Sequence, residues 1–167
     1  MSVSEHRAQS QRQVTCFVLT VSDTRTLATE TSGRAIADLL VAAGHVVAGR
    51  TVVRDEPTEV ARVVGEQLAR DGVQAIITTG GTGIARRDST YEAVTALFDK
   101  RLDGFGELFR VLSFHEIGAA AMLSRATAGV AAGRAVFVLP GSEAAVRLAM
   151  ERLILPELGH VVRELTK

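Results

Sequence analysis

The chain has 167 residues, enough for one domain with a sizeable core and no disulfide or metal staple. Its 19 basic and 19 acidic residues cancel, which leaves no global field for nucleic acid or an anionic membrane, and its 47% hydrophobic content is that of a soluble globular protein. No apolar run approaches transmembrane length, and a single cysteine excludes an internal disulfide.

Residues 1–13 are polar, mixed in charge and lack the apolar centre of a signal peptide. They read as a disordered tail on a cytoplasmic protein, ahead of a single domain over residues 14–167. The first strand is predicted at residues 14–21, with Cys16 as a small core residue. It ends in the polar loop Ser22-Asp23-Thr24-Arg25-Thr26, whose oxygens can grip a ligand or cap the loop itself. A helix starting at Thr31 or Ser32 turns Ile36, Leu39, Leu40 and Ala43 inward and stops at Gly44. Residues 46–53 form a second strand that runs into Arg54-Asp55-Glu56-Pro57, with the proline suited to the first turn of the next helix. That helix buries Val60, Val63, Val64 and Leu68. Ala75, Ile76 and Ile77 then make an apolar run too continuous for a half-buried strand, and suit one covered on both faces.

Strand, helix, strand, helix, strand is the alternation of a parallel sheet with right-handed crossovers, so the strands' carboxyl ends share one edge. Asp23, Asp55 and the loop from Gly80 to Asp88 all lie just beyond strand ends and are predicted to meet in one crevice. In that loop Gly80, Gly81 and Gly83 let a phosphate approach backbone amides. Ser89 and Glu92 fit a capping box for a helix over residues 90–98, and a helix start favours anions. Neither the Walker pattern nor the dinucleotide fingerprint is present. Gly-Gly-Thr-Gly alone could be a tight turn, but Thr82, Arg86, Arg87 and Asp88 in the same loop favour a ligand site, with one of the two arginines facing phosphate.

Farther on, Gly104-Phe105-Gly106 reads as a turn, with helical pieces over 107–112 and 116–122. Phe98, Phe105, Phe109 and Phe114 form either local core or a subunit contact. Residues 126–130 and 135–139 read as a strand pair turning at Gly133. Pro140-Gly141-Ser142 opens a helix carrying Ala145, Leu148, Ala149 and Leu153, which Pro156 breaks or restarts. The four histidines have no metal-ligand spacing.

Thr78-Thr79-Gly80-Gly81-Thr82-Gly83, Ala85-Arg86-Arg87-Asp88, Thr90, Gly104-Phe105-Gly106-Glu107, Met122-Leu123-Ser124-Arg125 and Leu139-Pro140-Gly141 together resemble the molybdopterin-binding MoaB/MogA family of molybdenum cofactor biosynthesis, to which the gephyrin G domain is related. Residues 20–26 and 112–117 are closer to the MoaB branch, whereas Ala85-Arg86-Arg87-Asp88 resembles the MogA branch. The resemblance implies a three-layer α/β/α fold with a mostly parallel twisted sheet and one antiparallel strand, assembled as a trimer or a hexamer of two stacked trimers. It implies adenylylation of molybdopterin by Mg-ATP, releasing pyrophosphate, with the product handed to a separate molybdate-inserting protein. The alternative is a non-enzymatic molybdopterin carrier.

Carried over residue by residue, the resemblance makes Asp55 and Asp88 the catalytic carboxylates and ligands for Mg²⁺. It assigns substrate and nucleotide binding to Gly80, Gly81, Thr82, Gly83, Arg87, Thr90 and Ser124, to Pro140, Gly141 and Ser142, and to Ser22 and Asp23. Read without the family, Asp55 would cap the helix that follows it, and for Asp88 capping and catalysis compete evenly. Ser142-Glu143 departs from the MogA branch, which tends to carry a second proline there. A carboxylate at that point opposes nucleotide binding unless it is turned away.

Overall fold

The protein is described by a computed structural model covering residues 2–8, 10 and 12–167. Val3–Ala8 forms a short helix, α1, where composition predicts a disordered tail, and it lies against the last helix of the chain. Next come β1 (Thr15–Val21), α2 (Ser32–Ala42), β2 (Val46–Val53), α3 (Pro57–Ala69) and β3 (Ala75–Thr79), in the predicted alternation. The second half contains α4 (Thr90–Thr95), β4 (Lys100–Arg101), α5 (Asp103–Ile117), a 3₁₀ segment (Gly118–Leu123), β5 (Thr127–Ala131) and β6 (Arg134–Leu139). It closes with α6 (Glu143–Ala149), a π-helical segment (Met150–Ile154) and α7 (Leu155–Leu165).

The six strands form one sheet in the order β2-β1-β3-β6-β5-β4. β2, β1, β3 and β6 are parallel, and β5 alone runs against its neighbours. Side chains alternate across a strand, and here both faces are covered. Cys16, Val18, Ile77, Phe137 and Leu139 join α2, α5, α6 and α7 in one apolar cluster. Phe17, Leu19, Ile76, Val136 and Val138 join α3 and α4 in a second cluster on the opposite face. This is the three-layer architecture that the unbroken apolar strands require. Burial pushes the Cys16 thiol up to about 12, in keeping with a core role.

Two local expectations are corrected, and a third, left open between core and contact, divides. Gly104-Phe105-Gly106 is no turn, because α5 runs straight through it; Gly106 is there because a Cβ would sit 2.7 Å from the Ala126 carbonyl oxygen. The helix expected over residues 90–98 stops at Thr95, and Phe98 instead covers Gly129 of β5. The phenylalanine group divides: Phe109 is core, Phe105 stacks on it at 6.4 Å, Phe98 supports the opposite cluster, and Phe114 is exposed. Pro156 does restart the helix. It stands in the first turn of α7, just after the π-helical segment.

Candidate functional site

β1 crosses over to β2 on one side, and β3 lies on its other side, so the strand order reverses about β1. Open α/β sheets bind ligands outside the carboxyl ends at such a point. There the ends of β1, β3 and β6 border a cleft of about 430 Å³ lined by Thr20, Ser22, Arg25, Glu30, Gly80, Gly81, Ser142 and Glu143, among others. A second hollow of about 380 Å³ is lined by Asp55, Glu56, Pro57, Arg86, Arg87 and Ser89. A third, of about 410 Å³, holds Tyr91, Arg101, Arg110, Ser124 and Arg125.

The glycine loop is the wall between these spaces. Gly80 has φ +96° and a Cβ there would meet the Val21 carbonyl oxygen at 2.2 Å; Gly81 has φ +69° and its Cβ would fall 2.0 Å from Thr90 Oγ1. No side chain fits at either position. The Gly80 amide donates to the Leu139 carbonyl at 3.1 Å, so it ties β3 to β6 and is not available to phosphate as expected. The amides of Gly81, Thr82 and Gly83 make no hydrogen bond among the described residues. Thr82 is buried and Thr90 is fully so, with Thr90 N–H donating to the Gly81 carbonyl and the Thr90 hydroxyl oxygen left without a partner.

Both predicted carboxylates stand against this loop. A Cβ on Gly81 would lie 2.7 Å from Asp55 Oδ2, and one on Gly83 would lie 2.4 Å from Asp88 Oδ2. Asp55 does not cap α3. Its Oδ1 accepts from the backbone N–H of Ser89 at 3.1 Å and from the Ser89 hydroxyl at 2.7 Å, so it anchors the start of α4 from across the crevice. The expected capping box is therefore absent: Ser89 makes no side-chain cap, and Glu92 pairs with Arg125. Asp88 Oδ2 accepts from the Ala85 N–H at 3.0 Å and closes the loop on itself. Oδ2 of Asp55 and Oδ1 of Asp88 accept no hydrogen bond among the described residues.

Arg87 is engaged. Its Nε donates to Asp23 Oδ2 at 2.8 Å, and another guanidinium nitrogen donates to Asp23 Oδ1 at 3.1 Å and to Glu56 Oε1 at 2.7 Å. The Arg87 guanidinium holds Asp23 down to about 2. Asp23 Oδ1 also accepts the Asp55 N–H at 3.1 Å, so Asp23 and Arg87 brace the backbone that carries Asp55. In the wall of the third hollow Arg125 donates to the carbonyls of Thr82 at 3.0 Å and Gly83 at 2.7 Å, and lies over the Tyr91 ring at 4.9 Å. Ser124 thus faces a space on the other side of the loop from Ser22 and Ser142. The Pro140-Gly141 turn is pinned by the Thr79 hydroxyl on the Pro140 carbonyl and the Ser32 hydroxyl on the Gly141 carbonyl, both at 2.7 Å. Ser142 caps α6 by accepting from Ala145 N–H at 3.3 Å.

Sequence reasoning missed Glu30, which is 2% exposed on the cleft. It accepts from the Thr20 hydroxyl at 3.2 Å and the Gly33 N–H at 2.7 Å, and forms an ion pair with Arg50 of β2. No local signal marks it, because its counter-ion is twenty positions away on another strand. Glu143 borders the cleft as expected, but Arg147, one turn along α6, pairs with it at 2.9 Å and holds its carboxyl below the usual range. The arrangement offers unpaired backbone donors, two carboxylates with a free oxygen each, and space on both sides of a rigid loop. Such a set can orient and neutralise phosphate-bearing molecules.

Residues 17–160 match the family described as "Probable molybdopterin binding domain". The chain is 52% identical over 168 residues to "Molybdenum cofactor biosynthesis protein B" of Halalkalibacterium halodurans, covering 100% of this chain and 99% of that one. A crystal structure of a molybdenum cofactor biosynthesis protein B superposes with a TM-score of 0.91 at 48% identity, over 95% of this chain and 99% of the other. The tungsten cofactor synthesizing protein MoaB of Pyrococcus furiosus gives 0.86 at 36% identity, over 95% and 100%. With a glycine loop flanked by carboxylates at the predicted sheet edge and similarity along its whole length, the chain belongs to the MoaB/MogA family of molybdenum cofactor biosynthesis proteins.

Proposed function

We propose that the protein is a molybdopterin adenylyltransferase. The terminal phosphate of molybdopterin attacks the α-phosphate of ATP; the new phosphoanhydride bond forms as the bond to the β-phosphate breaks, and pyrophosphate leaves. Such a reaction asks little covalent chemistry of the protein and much alignment and charge cancellation. The observation that carries the reading is the loop of residues 81–83, with unpaired amides and with Asp55 and Asp88 against it on one sheet edge. The amides of Gly81, Thr82 and Gly83 donate to phosphate oxygens. Arg125, by gripping the carbonyls of Thr82 and Gly83, fixes the backbone that carries those amides.

Mg²⁺ fits the donor set. Among the described residues no cluster of three or more acidic, histidine or cysteine side chains could hold a metal, but magnesium is commonly bound by one or two carboxylates together with substrate phosphates and waters. Asp55 Oδ2 and Asp88 Oδ1 are the oxygens that would hold it. When bound, it supplies positive charge to the phosphate groups.

The test is direct. Purified protein with Mg-ATP and molybdopterin should release pyrophosphate and form the adenylylated pterin. Asp55→Asn, which keeps an acceptor for Ser89, and Asp88→Ala should each lower turnover by about a hundredfold or more. Pterin binding with no turnover by folded wild-type protein would replace this reading by the carrier function. Cytoplasmic location and handover to a molybdate-inserting protein belong to the same proposal. So does self-association through the exposed apolar face of α5 and the 3₁₀ segment, where Leu108, Val111, Phe114, Ile117 and Met122 are all more than half exposed.

A further inference from the structure

The cleft at the ends of β1, β3 and β6 is an anion site by subtraction. Two acids line it, and both are neutralised within the fold: Glu30 by Arg50 from β2, and Glu143 by Arg147 from the next turn of α6. Two cations elsewhere around the sheet edge are likewise committed, whereas Arg86 makes no hydrogen bond or ion pair among the described residues but lines the second hollow and not this cleft. Arg87 is held by Asp23 and Glu56, and Arg125 by Glu92 and two loop carbonyls. One charged side chain lining the cleft has no such partner. Arg25 is exposed, and its guanidinium makes no hydrogen bond or ion pair among the described residues.

Its backbone is held firmly. The N–H groups of Thr24 and Arg25 both donate to the Ser22 hydroxyl oxygen, at 3.3 and 3.0 Å, and the Ser22 N–H donates to the Val53 carbonyl at 2.8 Å. A second turn follows at once, with Thr26 N–H on Thr29 Oγ1 at 2.9 Å and Glu30 N–H on the Thr26 carbonyl at 2.9 Å. The loop therefore presents a cation on a fixed base, across the cleft from Gly80, Gly81 and Ser142. A planar guanidinium with five donors is suited to the oxygens of a phosphate chain.

We infer that Arg25 is the phosphate-binding cation of this cleft, a role for which the sequence alone offered Arg86 and Arg87, and that the ligand it receives is the polyphosphate chain of a nucleotide. This rests on the adenylyltransferase reading for the nucleoside but not for the anion. Accordingly, the full-length protein is titrated calorimetrically with three probes: inorganic pyrophosphate, ATP and adenosine.

Arg25→Ala should weaken pyrophosphate and ATP by about tenfold or more, the loss expected for a hydrogen bond to a charged group, and leave adenosine unchanged. Arg25→Lys, which keeps the charge but not the fork, should recover part of that loss. Equal weakening of ATP and adenosine would mean that the variant disturbs the loop, and would overturn the assignment. So would unchanged pyrophosphate affinity, or wild-type protein that binds no pyrophosphate. If pyrophosphate binds through Arg25 while ATP binds no better, the cation assignment stands and the nucleotide, with the adenylyltransferase proposal, falls.

Discussion

Asp23 is a small residue with two tasks: it receives Arg87 and it fixes the backbone of Asp55. Its carboxyl, ordinarily near 3.8, is held at about 2 by the Arg87 guanidinium. A depressed carboxylate stabilises the fold above its unfolded value, and that contribution disappears as pH falls from 3.8 through 2. Asp23→Asn should therefore flatten the acid limb of the stability curve between pH 4 and 2 relative to wild type, read as thermal midpoint against pH. Parallel curves would show that the pair is decorative, as exposed ion pairs often are. At this scale the sequence was legible in identity but not in partnership. Asp55, Asp88 and the glycines stand where strand ends predict. That Arg87 is spent on acids, that Ser89 serves Asp55 in place of a capping box, and that the Gly80 amide serves Leu139 all depend on contacts dozens of positions apart, which no local pattern encodes.

Helix α5 shows why an element can be misread. Two glycines separated by a single residue and flanked by acids look like a turn, because glycine is costly inside a helix. The two differ in kind. A Cβ at Gly104 meets nothing within 4 Å, whereas one at Gly106 would press on the Ala126 carbonyl at 2.7 Å. Gly104→Ala should stabilise the protein by about 0.5–1 kcal/mol through helix propensity. Gly106→Ala should destabilise it by about 1–3 kcal/mol through overpacking against backbone that cannot yield. Equal effects in thermal melts would show that helix propensity alone governs α5. The regular elements were easier to read. In α3 the spacing of Val60, Val63, Val64 and Leu68 gave the buried face without error, since that helix touches the sheet along a single stripe.

At the scale of the molecule, two crossovers place three loops at one edge, and the β5–β6 antiparallel pair extends the sheet beyond β6. Continuous apolar runs made the parallel half of the architecture readable, because a strand covered on both faces has no polar side to interrupt it. The α5 face was only half readable: the phenylalanine group divides between core and surface, and Phe114, at 58% exposure, lies with Val111 and Met122 around an apolar hollow. If this face self-associates as proposed, with the stoichiometry that the family resemblance implies, the 17.7 kDa chain should elute from light-scattering chromatography at three or six times its mass, and Val111→Glu should return it toward the monomer. A monomeric wild type would leave that face without a second copy of the chain.

The Glu30–Arg50 pair carries a consequence for the outermost strand. An edge strand is normally free to vary so long as it pairs and resists aggregation. Here β2 reaches past its neighbour and cancels a carboxylate embedded beneath the cleft, so the sign of the charge an incoming molecule meets is decided by a side chain that it never touches. A change at Arg50 on that margin would thereby alter the polarity the ligand meets as well as the pairing of the strand.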